Sequence, residues 1–305
     1  MTFEIKILVT EGKLVMKDWT NRNMSDGRSE SELPERLCHY WLSRVTLPAG
    51  VRRSLKGDAP AIRALFNRNP GQFTIQRLER ELAGCLKQGI QVLLPGDGLY
   101  ELIFGAMGEN GINIPYILYL KGDPSLLMKR GVAFVGSRKA GSYGKRATEE
   151  LVRSLRTEDV VIVSGGARGI DTAAHLTALD HGLPTIAVLG SGIGWDYPPE
   201  NRGLFQRISE EGLLVSEYEP GRKPEKYFFP ERNRIIAQLA EAVVVTAAAR
   251  TSGALHTAEH AMDSGHTIFT IPYELFDEAG EGCRLLVETG AELILHCDLF
   301  SEMIS

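Results

Sequence analysis

Six short apolar runs recur along the second half of the chain, at 132–135, 160–164, 185–189, 213–216, 242–246 and 267–271, separated by segments long enough for a helix. Near-continuous apolar strands joined by such crossovers predict an α/β fold, a parallel sheet covered by helices on both faces. Between Leu37 and Gln88 the period is different. Apolar residues fall at helical spacing (Leu37, Tyr40, Trp41; Ile62, Leu65, Phe66; Ile75, Leu78, Leu82, Leu86), broken at Pro48-Ala49-Gly50, Gly57 and Asn69-Pro70-Gly71. This predicts a small helical domain over 34–89. Residues 1–33 form a polar extension: Phe3 to Val9 has the composition of a short strand, but Asp18 to Glu35 crowds Asn, Ser, Asp, Gly and Pro together. After Gly89 the texture changes to Ile90-Gln91-Val92-Leu93-Leu94 and then Tyr116 to Gly122, so 90–305 is expected to be the large domain.

The candidate chemistry sits just after the strands. Val135-Gly136-Ser137-Arg138, Ser164-Gly165-Gly166-Ala167-Arg168-Gly169-Ile170-Asp171 and Ser252-Gly253-Ala254 are turns rich in glycine, hydroxyls and arginine. Small residues let backbone amides approach anionic oxygens, and Arg binds them bidentately, so these turns predict a site for a phosphate-bearing ligand. In parallel sheets ligands bind at the carboxyl ends of the strands, where these turns fall.

The residues around the turns also carry a resemblance. Val132 to Arg138, Ser164 to His175 (SGGARGIDTAAH), Ala187 to Gly192 leading to Tyr197-Pro198-Pro199-Glu200-Asn201, Phe229 to Ala237, and Thr251 to Ala258 (TSGALHTA) look like the successive signatures of the bacterial DNA-processing protein A family (DprA, also called Smf). Five motifs in order over roughly half the chain are far more specific than any lone glycine pattern. The resemblance implies a Rossmann-like core preceded by a helical domain resembling a sterile alpha motif. The chain ends soon after its last apolar run, so the C-terminal winged helix of some family members is expected to be absent. Thr246, where the family commonly has an acidic residue, Tyr273 in place of a glycine after Pro272, and the acidic stretch from Glu274 to Glu281 depart from the family pattern.

Composition changes this picture little. At 305 residues and 43% hydrophobic content the chain can bury a full core. It has no run of about 18 apolar residues and no signal segment, so a cytoplasmic location without membrane contact is expected. Cys38, Cys85, Cys283 and Cys297 are scattered without a CxxC pair, which points to reduced thiols rather than a zinc ribbon. A net charge of −5 argues against a nucleic-acid binder, but the distribution matters more. From Lys129 to Arg156 eight basic residues face two acidic ones, and from Arg222 to Arg234 five face two. Single lysines there fit solvated helix faces; Arg138, Arg168, Arg232 and Arg234 fit that reading less well, because they lie inside the motifs.

Competing chemistries are weaker. Gly190-Ser191-Gly192-Ile193-Gly194 follows the third of these strands, lacks the third-glycine spacing of a dinucleotide fingerprint and runs into Trp195-Asp196-Tyr197-Pro198 instead of a helix. Ser137 and Ser164 lie in no GxSxG elbow, and no third partner for Asp171 and His175 can be placed. Asp171 is readable as a helix-start residue favoured by the macrodipole, and His175 as an ordinary satisfied histidine. His256-Thr257-Ala258-Glu259-His260 fits the H-x-x-E-H pattern of a zinc protease, but a third ligand is not evident. No metal and no cofactor are expected.

The resemblance implies a non-enzymatic single-stranded DNA-binding protein, a homodimer that protects incoming strands in natural transformation and helps load the recombinase RecA. The expected phosphate-binding set is Gly136, Ser137, Arg138, Ser164, Gly165, Arg168, Gly169, Asp171, Arg232, Asn233, Arg234, Ser252 and Gly253, with Tyr227 or Phe228 stacking a base. Two alternatives stay open. The same turns suit a free mononucleotide or signalling nucleotide, and a nucleotide hydrolase with Asp171 or Glu217 as acid or base is the third reading.

Overall fold

A computed structural model describes residues 8–10, 13–15, 34–45, 55, 58–68, 70–109 and 113–304. Most of the expected N-terminal extension, including residues 3–7 of its expected strand, lies outside the described residues. Within it, β1 (Leu8–Thr10) and β2 (Lys13–Val15) pair antiparallel, with Val9 opposite Leu14.

The chain divides into two units, and the first ends at Gly111, with Tyr116–Leu118 added. It holds α1 (Glu35–Arg44), α2 (Ala59–Arg68), α3 (Ile75–Lys87), β3 (Gln91–Leu93) and α4 (Gly98–Glu109). The helical spacing read from the sequence does bury one face of each of the first three helices: Leu37, Tyr40 and Trp41 of α1, Ile62 and Phe66 of α2, Leu78 of α3. Trp41 meets Phe66 edge to face at 5.4 Å. Thr74 starts α3 by accepting the Arg77 amide at 3.1 Å. The boundary expected at 89/90 falls inside this unit, because β3 and α4 group with the helices.

The second unit carries the sheet. In chain order it contains β4 (Leu118–Gly122, shared at its start with the first unit), β5 (Arg130–Gly136), α5 (Ser142–Ser154), β6 (Val160–Ser164), α6 (Ile170–Asp180), β7 (Thr185–Leu189), α7 (Arg202–Glu211), β8 (Leu213–Ser216), α8 (Phe228–Gln238), β9 (Ala242–Ala247), α9 (Gly253–Asp263), β10 (Thr267–Thr270), α10 (Glu281–Glu288), β11 (Glu292–Leu293) and α11 (Phe300–Ile304). Its strands lie in the order β11-β10-β9-β5-β6-β7-β8-β4. All neighbours are parallel except β4, which runs antiparallel to β8 with Tyr119 opposite Ser216. The fold is therefore Rossmann-like, a mixed and mostly parallel sheet flanked by helices.

Every residue of β6, β7 and β9 is buried, as strands covered on both faces require. On one face Phe134, Ile162, Val244 and Phe269 pack with Leu151 and Val152 of α5, and Phe300 of α11 closes the cluster, edge-on to Phe269 at 5.5 Å. A Phe buried so completely is worth about 2–3 kcal/mol of transfer free energy. No helix among the described residues is long and apolar enough to cross a membrane. All four cysteines are free thiols.

Candidate anion-binding cleft

Strand order reverses between β5 and β9, the position where an open parallel sheet normally binds its ligand. Here that crevice is filled. The Ser137 amide donates to Ala247 O at 2.7 Å, and Ala140, Ile170, Ala247 and Tyr273 pack together beside it. The open cleft lies next door, over the ends of β6 and β7, lined by Arg138, Gly165, Ala167, Arg168, Gly190, Tyr197, Pro198, Phe229 and Arg232.

Its floor is a buried cation. Arg232 sits on α8 one turn after Phe228 and one turn before Ile235 and Ile236, so helical periodicity turns it inward with them. Nη1 donates to Gly165 O at 2.6 Å and also to Val188 O, while Nε reaches Asn233 Oδ1 at 3.2 Å. Asn233 in turn donates to Gly253 O at 3.2 Å, so Gly165, Arg232, Asn233 and Gly253 form one hydrogen-bonded chain. Burial pulls the guanidinium down to about 10, with the Asp171 carboxylate opposing, so it stays charged at neutral pH. Asp171 is buried too; burial pushes its carboxyl up, against Arg232, the Ala167 amide at 3.1 Å and Arg138. Asp171 thus occupies the Ala167 amide of the glycine turn from within the protein, close to its reading as a helix-start residue.

His175, fully buried, is held neutral: burial and then the Arg232 charge lower it to about 3. Thr185 Oγ1 spends its proton on Ile162 O at 2.8 Å and therefore accepts from His175 Nδ1 at 2.7 Å. That assigns the Nδ1–H tautomer and leaves Nε2 a bare acceptor, without a hydrogen-bond partner among the described residues.

The cleft's rim is exposed. Arg138 lies over the Phe229 ring, 5.0 Å from its centroid, and makes no ion pair among the described residues. Tyr197, 42% exposed, also meets Phe229, the ring centroids 5.5 Å apart. Arg168 lines the same cleft, paired on the surface with Glu200, which raises the guanidinium's pKa and lowers the carboxylate's. An exposed pair of this kind is weak and exchangeable. One cleft therefore offers two surface cations and an aromatic face above a buried positive floor.

Other residues expected at the site hold the turns together. Ser164 Oγ donates to Phe134 O at 2.6 Å inside the core. A Cβ on Gly136 would lie 2.5 Å from Ile170, and Gly169, at φ +80°, would place one 2.3 Å from Ser137 O, so these glycines let the two turns pack against each other. Ser252 starts α9 by accepting the Ala254 amide. Arg234 points away, both Glu217 oxygens taking its Nη2 at 2.7 and 2.5 Å. Phe228 is buried in a stack with Tyr218, centroids 3.7 Å apart, which removes its face from any base; Tyr227 is 54% exposed. His256 pairs with Glu259 at 3.0 Å on an exposed helix face. Sequence reasoning had not placed Tyr197, Phe229 or Asn201 at the site. Asn201 ties the Tyr197 loop to the glycine turn, donating to Gly166 O at 3.0 Å and Thr172 Oγ1 at 2.8 Å.

A mostly parallel, Rossmann-like sheet with an arginine-lined cleft over its strand ends defines the structural class. Within it the chain belongs to the DNA recombination-mediator protein A family, whose sequence pattern matches residues 98–305. The DNA processing protein DprA of Bacillus subtilis is 33% identical over 88% of this chain and 90% of its own length. That of Streptococcus pneumoniae is 45% identical over 59% of this chain and 64% of its own, and the putative Mycobacterium tuberculosis one 35% over 75% and 61%. The chain thus spans less than two thirds of those last two relatives. The solved structure of DNA processing protein A from S. pneumoniae superposes with a TM-score of 0.70 at 34% identity, covering 89% of this chain and 94% of that one. The Helicobacter pylori structure, whose subject is that protein's unique single-stranded DNA binding mode, has a TM-score of 0.62 at 30% identity, covering 70% and 95%.

Proposed function

We propose that this chain is a DprA-type DNA-processing protein that binds single-stranded DNA and carries out no chemistry on it. A strand phosphate enters between Arg138 and Arg168, displacing Glu200, while an unpaired base stacks on Tyr197 beside Phe229. The observation that carries this reading is Arg138: an exposed cation, without an ion pair among the described residues, laid on an aromatic face in the same cleft as an exposed tyrosine. The single-stranded DNA binding of the H. pylori relative supports it.

The non-enzymatic part rests on the candidate acid and base groups. Asp171 is engaged with the turn amide and Arg232's field, and Glu217 holds Arg234 through both oxygens. Both side chains are thus engaged by groups of the scaffold. Protection of incoming strands and delivery to a recombinase such as RecA are the further roles we infer, supported by the family's description as a recombination mediator. Action as a homodimer is supported by the exposed apolar side chains Leu293, Leu295 and Leu299 around the β11 edge.

The test is fluorescence anisotropy of labelled oligo-dT, competed with duplex DNA and with nucleoside monophosphates. The expected result is tight single-strand binding that neither competitor removes at equal nucleotide concentration. Displacement by a mononucleotide at micromolar levels would replace this reading with that of a small-nucleotide pocket.

A further inference from the structure

Two residues before Tyr197, outside the cleft lining, Trp195 holds its ring in solvent, 38% exposed, with Lys223 Nζ 5.1 Å from the ring centroid. A tryptophan that served packing would be covered, as Trp41 is. Trp195 is instead pinned in place. Its amide donates to Gly192 O at 3.0 Å, and its carbonyl accepts from Ser191 Oγ at 2.9 Å. The loop that carries it is fixed to the loop that carries Lys223: Gly192 donates to Arg222 O at 2.9 Å, and Gly221 to Ile193 O at 2.8 Å. The approach is so close that a Cβ on Gly192 would fall 1.7 Å from Glu219 O. Both rings of the loop, Trp195 and Tyr197, are therefore presented by ordered backbone, and little freedom remains to be lost when a ligand stacks on them.

We propose that Trp195 and Lys223 form a second stacking step of the single-strand site. A base leaving the Arg138 cleft past Tyr197 lies on the indole, and Lys223 neutralises the phosphate that joins the two nucleotides. The occupant is an unpaired base, because in a duplex both faces of a base are already covered by its neighbours. Stacking on an indole requires no particular base, so the step extends the footprint without adding sequence preference. The inference rests on the single-strand reading of the Arg138 cleft.

The experiment is a length series of oligo-dT, followed by anisotropy and by intrinsic tryptophan emission, on the full chain and on Trp195→Ala, Trp195→Phe and Lys223→Gln. Wild type is expected to gain affinity and lose emission once the oligomer is long enough to reach beyond the cleft. Trp195→Ala should bind the longer oligomers about tenfold more weakly and the shortest ones unchanged, with Trp195→Phe recovering most of the loss. Lys223→Gln should flatten the log–log salt slope by about 0.7, for the longer oligomers alone. Equal affinity of wild type and Trp195→Ala at every length, or the same emission loss in Trp195→Phe, overturns the second step. Failure of wild type to bind oligo-dT of any length overturns the reading on which it rests.

Discussion

The guanidinium of Arg232 occupies the space a side chain on Gly165 would need: Nη1 is 2.6 Å from Gly165 O, and a Cβ built on that glycine would lie 2.3 Å from the same nitrogen. The glycine of the second turn is thus small because a buried cation lies on it, not because a ligand does. Gly165→Ala should push Arg232 off its two carbonyls, lowering stability by about 2–4 kcal/mol in urea unfolding. Because both changes break the same contact, Gly165→Ala combined with Arg232→Met should cost less than the sum of the two alone. Additive losses would show that the two residues do not depend on each other.

Glu200 is the surface carboxylate that a strand must displace from Arg168. Glu200→Gln should raise oligo-dT affinity about threefold at low salt, and the gain should fade as ionic strength rises, since exposed charges are screened. Unchanged affinity at low salt would place Arg168 off the path of the strand.

His175 gives the fold a pH dependence of known sign. Its folded-state pKa, about 3, lies below its ordinary value of 6.5, so as pH falls the unfolded chain takes up a proton that the folded chain refuses. Stability from this group is complete above about pH 6.5 and declines towards pH 3, by roughly 1.4 kcal/mol per unit where only the unfolded state is protonated. His175→Asn can keep the donation to Thr185 without the titration, so its stability should fall less steeply below pH 6.5. Parallel curves for variant and wild type would mean that the histidine titrates alike in both states.

The strands of the second unit were legible because a strand buried on both faces has to be apolar throughout, and β6, β7 and β8 fall where the apolar runs lie. The direction of β4 was not, since an apolar run carries no sign of which way it pairs. Nor was β11, whose two residues are exposed and show no alternation. At the site, the glycine–arginine turns were readable as a group, but composition alone cannot divide arginines between ligand and scaffold. Arg232 and Arg234 look equivalent in sequence, yet counting back from Ile235 and Ile236 by helical turns places Phe228 and Arg232 on the buried side. Ser164 looked like a ligand because it precedes two glycines; it is the last residue of a fully buried strand, and its hydroxyl is used within the core. Tyr197, in a loop, and Phe229, in the first turn of α8, meet only through the fold, and no local pattern pairs them.

The most direct test of the single-strand cleft is the salt dependence of oligo-dT binding by Arg138→Ala. This residue is exposed and makes no ion pair among the described residues, so its removal should leave the melting temperature unchanged. The account predicts weaker binding at every salt concentration and a log–log slope flatter by about 0.7, the signature of one lost phosphate contact on a single strand. An affinity and slope identical to wild type, with the fold intact, would contradict it.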